Sequence, residues 1–160
     1  MQWEEFTRRV QHLDHEIPAI MKRIVERLGE ELLNAVIDEI NRQDLIDTGT
    51  LINSFSRGDG ENVWEFDEGR NAITLEVGSN LTYAEYLNDG YTIGKAHFVP
   101  GYFNGAGSFV YDRSAKTGFI ARPRSFIGRK YFDIALKNFE GGMRGFIEKQ
   151  LEKEIQRIMG

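Results

Sequence analysis

Apolar residues recur every three or four positions through Ile17, Ile20, Ile24, Leu28, Leu32, Val36 and Ile40. Lys22, Arg23, Glu26, Arg27, Glu30 and Glu31 fill the positions between. That period predicts an amphipathic helix with one buried stripe. Pro18 has no amide hydrogen and a fixed φ, so it fits a first helical turn. A shorter amphipathic segment, Trp3–Leu13, precedes it, and a break is expected near Glu16–Pro18. Between about residues 44 and 122 the pattern changes. Asn62-Val63-Trp64-Glu65-Phe66 and Ala72-Ile73-Thr74-Leu75-Glu76-Val77 alternate polar and apolar around the turn signal Asp67-Glu68-Gly69-Arg70-Asn71. They predict an antiparallel hairpin. Tyr83–Asn88 predicts a short helix ended by Gly90 as its C-terminal cap.

Residues 91–122 are the least regular part. His97-Phe98-Val99 and Ser108-Phe109-Val110-Tyr111 have strand composition, but Pro100-Gly101 and Gly105-Ala106-Gly107 punctuate them. A long connection is expected here, mobile in the isolated chain and ordered on contact with a neighbour. From Ile127 onward, Tyr131, Ile134, Ala135, Phe139, Met143, Phe146, Ile147, Leu151, Ile155 and Ile158 restore helical spacing, with Gly141-Gly142 marking a kink or a close helix contact. The expected fold is α+β: long N- and C-terminal helices packed on a small central antiparallel β-sheet. It forms a single domain over residues 1–160, helical over 1–43 and 123–160.

Composition narrows the function. Hydrophobic residues at 41% and charged residues at 28% are ordinary for a soluble domain, and the absence of cysteine excludes disulfides and thiolate metal sites. No apolar run approaches the ~18 residues of a membrane span. The start of the chain lacks signal-peptide character, so the protein is expected to stay inside the cell that makes it. A net charge of −5 disfavours wholesale binding to phosphate backbones. One basic stretch runs against that balance: Arg113, Lys116, Arg122, Arg124, Arg129 and Lys130, with no acid among them. It is expected to face acids on a neighbouring subunit, with contact to DNA as the sharper reading.

The tripeptide Asp47-Thr48-Gly49 has the form of an aspartic-protease loop, and Gly128-Arg129 superficially supplies that fold's later motif. Such a chain would have to dimerise so that two aspartates share a proton. The helical patterns before Asp47 and after Arg129 argue against it. Asp47 or Thr48 would instead cap a short helix through Leu51–Phe55, with Gly49 permitting a tight junction. His12, His15 and Glu16 read as amphipathic surface, and His97 as structural. No phosphate loop, cofactor motif or Ser–His–Asp set has supporting context.

Taken in order, several blocks form a series: Asp47-Thr48-Gly49-x-Leu51-x-x-Ser54, Val77-Gly78-Ser79, Tyr83-Ala84-x-Tyr86-Leu87-x-x-Gly90, and Phe126-Ile127-Gly128-Arg129-x-Tyr131 with Ala135 one turn on. This series resembles a family of small neck, head–tail joining and tail-completion proteins of tailed bacteriophages and prophages, the gene-product-ten-like minor structural proteins. The resemblance covers roughly residues 20–155. It implies a non-enzymatic virion component, assembled in the bacterial cytoplasm. Such a component acts as a ring of its own copies against connector, tail terminator or tail tube proteins, without cofactor or membrane. The matching residues become candidates for structure or interface. The alternatives are a dimeric protease using Asp47 and a small nucleic-acid-binding module.

Overall fold

The computed structural model describes residues 2–45 and 49–160. The described elements run α1 (Gln2–Arg42), α2 (Thr50–Ser54), β1 (Asn62–Glu68), β2 (Ile73–Ser79), α3 (Thr82–Asp89), β3 (Gly90–Ile93), β4 (His97–Phe103), β5 (Phe109–Tyr111), β6 (Gly118–Ala121), β7 (Arg124–Ile127) and α4 (Tyr131–Met159). This is the expected α+β class, with long helices at both ends. The chain falls into two compact units, Met1–Ala84 with Lys130–Gly160, and Glu85–Arg129.

In the first unit α1 and α4 run antiparallel. Arg23 donates to Glu154 at 2.9 Å, Arg27 to Gln150 at 2.5 Å, and Arg9 to the Met159 carbonyl at 2.6 Å. The buried stripe of α1 is Ile20, Ile24, Leu33, Val36 and Ile40, joined in the core by Leu51, Phe55, Ala84, Tyr131 and Ala135. Each large apolar side chain so enclosed is worth about 1.5–3 kcal/mol. β1 and β2 pair antiparallel from Asn62 opposite Ser79 to Glu68 opposite Ile73. The hairpin lies against α1, where Gly29 leaves room. A Cβ there would run into the Leu75 and Trp64 side chains. Arg57 closes this contact, its guanidinium 4.2 Å from the Trp64 ring centre and 2.7 Å from Glu30.

The helices differ from expectation in two places: the C-terminal helical segment, expected from residue 123, begins only at Tyr131, with Arg124–Ile127 forming β7, and the N-terminal one runs unbroken past Pro18. No break occurs near Glu16–Pro18: α1 continues through Pro18. Proline inside a helix removes one backbone bond and costs about 3 kcal/mol. Contacts from α4 splint both sides of that position, Arg9 with Met159 before it and Arg23 with Glu154 after it. Arg157 also reaches Glu16 at 3.8 Å. The Gly141-Gly142 pair lies within continuous α4, and a Cβ on either would meet nothing. Close packing is therefore not the reason for these glycines, and the structure offers no other.

The Arg23–Glu154 pair gives a pH test. Hydrogen bonds from Arg23 hold the Glu154 carboxyl below its ordinary value of 4.5, and Arg157 adds to this. A carboxylate with a depressed folded pKa stabilises the fold above its unfolded value and loses that contribution as pH falls through the folded value. Glu154→Gln is expected to destabilise the protein at neutral pH. In urea titrations the difference from wild type should shrink progressively as pH drops below 4.5. A gap independent of pH would contradict the assignment.

The second unit corrects the expectation of an irregular connection over 91–122. β3 and β7 form an antiparallel pair, Gly90 opposite Ile127 through Ile93 opposite Arg124. β5, β4 and β6 form a three-stranded sheet with β4 in the centre. Pro100 and Gly101, which have turn composition, instead lie inside β4 where its partner changes. β6 pairs with His97–Pro100, and β5 pairs with Gly101–Phe103. Proline's missing donor is tolerated at such a change of partner, and Gly101 gives the Phe109 ring and the Val110 carbonyl room to approach.

Candidate functional site

Several blocks of the ordered series meet in the first unit. Gly49, at φ 78°, precedes α2 and carries no side-chain cap. That left-handed conformation favours glycine, as the junction requires. The capping role expected of Asp47 or Thr48 falls outside the described residues. Leu51 and Ser54 are buried on α2. The Ser54 hydroxyl donates to the Leu51 carbonyl at 2.7 Å and lies 2.8 Å from the Ser79 hydroxyl, which also accepts from the Leu81 amide at 3.1 Å. The Asn62 side-chain amide donates to the Ser54 and Gly78 carbonyls, both at 3.1 Å. Thus α2, the start of β1 and the end of β2 are tied by one polar network.

Tyr131, only 1% exposed, anchors the start of α4 beside this network. Its hydroxyl donates to the Ala84 carbonyl at 3.0 Å, and its ring meets Phe55 edge-on at 6.1 Å. Tyr83 and Tyr86 do not join the core, being 45% and 51% exposed.

The remaining blocks meet in the second unit. Gly90 adopts φ 83°, as expected of a helix cap. A Cβ on Gly90 would strike the Phe126 carbonyl and the Gly128 amide, and one on Gly128 would strike the backbone of residues 88–90. The Arg129 amide donates to the Leu87 carbonyl at 2.8 Å across the same crossing. The two glycines therefore belong to one backbone crossing. Beside it the rings of Tyr91 and Phe126 stack at 5.6 Å, Tyr86 meets Tyr91 edge-on, and Arg124 lies 5.9 Å from the Tyr91 ring centre.

The basic stretch is spread over several elements and over both units. Arg113 and Lys116 lie between β5 and β6, and Arg122 and Arg124 around the start of β7. Lys130 belongs to the first unit and pairs with Asp133 at 3.6 Å. Asp112, just before this stretch, is held below the ordinary carboxylate range by hydrogen bonds from Ser114. Among the described residues no cluster of metal-ligating side chains forms, and no helix is long and apolar enough to cross a membrane.

Residues 4–90 match the family described as "Bacteriophage HK97-gp10, putative tail-component". The match takes in the blocks from Leu51 to Gly90 placed above. The chain belongs to this family. Among similar proteins, phage-like element PBSX protein XkdI of Bacillus subtilis (strain 168) is 36% identical over 138 residues, covering 85% of this chain and 84% of XkdI. Protein YqbI of the same organism is 35% identical over 159 residues, covering 92% and 91%. No solved structure gives a significant match. The HK97-gp10-like chain is thus a structural phage protein, and its surfaces interact with other phage structural proteins.

Sequence reasoning missed three contributors to this site. Asn62 carries the cross-links between α2 and the hairpin, yet it stands as an ordinary polar position at the start of a strand. Phe55 lies just beyond the Leu51–Ser54 spacing. Gly29 is masked inside a strong helical period, where a glycine only weakens the prediction.

Proposed function

We propose that the protein is a non-enzymatic component of a phage neck or tail end. It acts in tail completion or head–tail joining, as a ring of its own copies docked on neighbouring connector, terminator or tube proteins. The carrying observation is the use made of the ordered motif. Ser54, Gly78, Ala84 and Tyr131 lock helices to a hairpin, while Gly90 and Gly128 fix a backbone crossing. These are architectural tasks. They leave exposed aromatic side chains such as Tyr83, Tyr86, Phe98 and Tyr102 available for contact, and aromatic residues are enriched at protein interfaces. Virion location and assembly in the host cytoplasm belong to this reading, as does the treatment of residues 1–160 as one folding domain.

The test is deletion of the gene and imaging of the particles. Separate heads and tails, or tails of abnormal length, are expected, and the two defects distinguish joining from tail completion. Normal joined particles would overturn the reading. Complementation with Asp47→Asn addresses catalysis. This variant is expected to restore wild-type particles. Failure to do so, together with pepstatin-sensitive cleavage by the purified wild-type protein, would favour a dimeric protease.

A further inference from the structure

Charge is divided unevenly between the two units. Glu85–Arg129 holds six of the chain's Lys and Arg residues and three of its acids, a net +3. The rest holds fourteen and twenty-two, a net −8. The three-stranded sheet of the second unit also exposes apolar side chains. Phe98 and Ile120 stand opposite each other on β4 and β6 and are 53% and 65% exposed. Arg122 and Arg124 line a shallow hollow beside Ile120, and neither has an ion-pair partner among the described residues. An apolar sheet face flanked by cations without ion-pair partners among the described residues is the composition of a docking surface rather than of solvated strand.

A complementary feature lies on the first unit. Side chains of the β1–β2 hairpin alternate between a face toward α1 and an outer face, which presents Glu65, Asp67, Thr74 and Glu76, all exposed. Glu65 and Glu76 are directly opposed across the two strands, and no cation pairs with either of them or with Asp67 among the described residues. Like charges in that relation destabilise a hairpin. A cation brought against them from outside removes the penalty.

We infer that the outer face of the β1–β2 hairpin in one subunit receives the Ile120–Arg122–Arg124 side of the β4–β6 sheet from a second copy of the same chain. The occupant is a second copy because one chain carries both halves of the match, a basic apolar sheet face and an acidic hairpin face with an unrelieved like-charge pair. Two different patches in contact make a heterologous interface, which propagates from subunit to subunit and closes into a ring when the rotation allows. The inference rests on the ring reading of the function and assigns its contact surfaces.

The test reverses charge on each face of the full-length protein: Glu65→Lys/Glu76→Lys in one variant and Arg122→Glu/Arg124→Glu in the other. All four positions are exposed, so the thermal melt of each purified variant is expected to match wild type. Either variant alone, supplied to particles lacking the gene, is expected to give no joined particles. Co-expression is expected to restore them, because each reversed face then meets its reversed complement in an alternating ring. In sedimentation of the purified chain, each reversal is expected to weaken self-association about tenfold, and a one-to-one mixture to recover it.

Full complementation by either variant alone would overturn the inference while a ring visible in the particles left the proposed function standing. Particles without any ring of this protein would remove both. Loss of function with the basic-face variant that co-expression does not rescue, accompanied by loss of duplex DNA retention, would assign that face to DNA and also overturn the inference.

Discussion

Tyr131→Ala is expected to lower the unfolding free energy by about 3–5 kcal/mol, the range for removing a buried aromatic side chain. Tyr131 is 1% exposed and sits where the start of α4 meets Phe55 and Ala84. Truncation removes the ring, leaves a cavity and removes the hydroxyl's hydrogen bond to the Ala84 carbonyl. Small domains are held by only about 5–15 kcal/mol in total, so the loss is a large share of stability. Tyr131→Phe separates the two contributions. It keeps the ring and removes only the hydroxyl's hydrogen bond to the Ala84 carbonyl, and should cost about 1 kcal/mol. Urea denaturation of the three proteins is the measurement, with the midpoint shifting at nearly constant slope. Equal losses for the two variants would mean that the hydrogen bond, not the packing, carries the anchor.

Gly90→Ala is expected to have a comparable effect, confined to the second unit. At φ 83° an L-residue pays about 1–2 kcal/mol for the left-handed conformation. The added Cβ would also collide with the Phe126 carbonyl and the Gly128 amide, backbone atoms that cannot rotate aside. Overpacking of that kind costs a further 1–3 kcal/mol or so, for a total of about 2–5 kcal/mol. Hydrogen exchange should show lost protection across β3 and β7, with α1 and α4 little changed. Gly49→Ala is a matched comparison, because Gly49 is also left-handed but a Cβ there would meet nothing. If the two variants lose equal protection around their own sites, the crossing at Gly90 imposes no steric demand of its own.

The elements legible in the sequence were those whose periodicity is set by one-sided burial. The stripe from Ile20 to Ile40 faces α4 and the hairpin, so it keeps a helical period. Trp64, Phe66, Leu75 and Val77 face α1, so β1 and β2 alternate. Gly90 was legible because a helix end in the left-handed region leaves a glycine behind. Within residues 97–121 the strand composition of His97–Val99 and Phe109–Tyr111 was legible, but not their assembly into a sheet with Gly118–Ala121, because Phe98, Tyr102, Phe103, Tyr111 and Ile120 are exposed and no buried side imposes a period. Pro100-Gly101 then weighed as a turn, although it marks a change of strand partner. Pro18 misled for a similar reason. Local chemistry predicts a break there, and long-range contacts with α4, invisible to local pattern, carry the helix through.

The candidate site was legible as a set of positions but not as an arrangement. The spacing Leu51-x-x-Ser54 gave the buried face of a short helix. Nothing in it indicated that the Ser54 hydroxyl would meet Ser79, or that Asn62 would bridge Ser54 and Gly78. Gly90 and Gly128 lie far apart in the chain, and only the strand pairing of β3 with β7 reveals that they serve one crossing. The functional conclusion rests on the order of the blocks and on family membership.

Electron cryomicroscopy of intact particles tests the central claim most directly. The account predicts a ring of this chain at the capsid–tail junction or at the end of the tail, recognisable by the antiparallel α1–α4 pair in every subunit. Its absence from mature particles, or its presence along the whole tail tube instead of at one end, would contradict it.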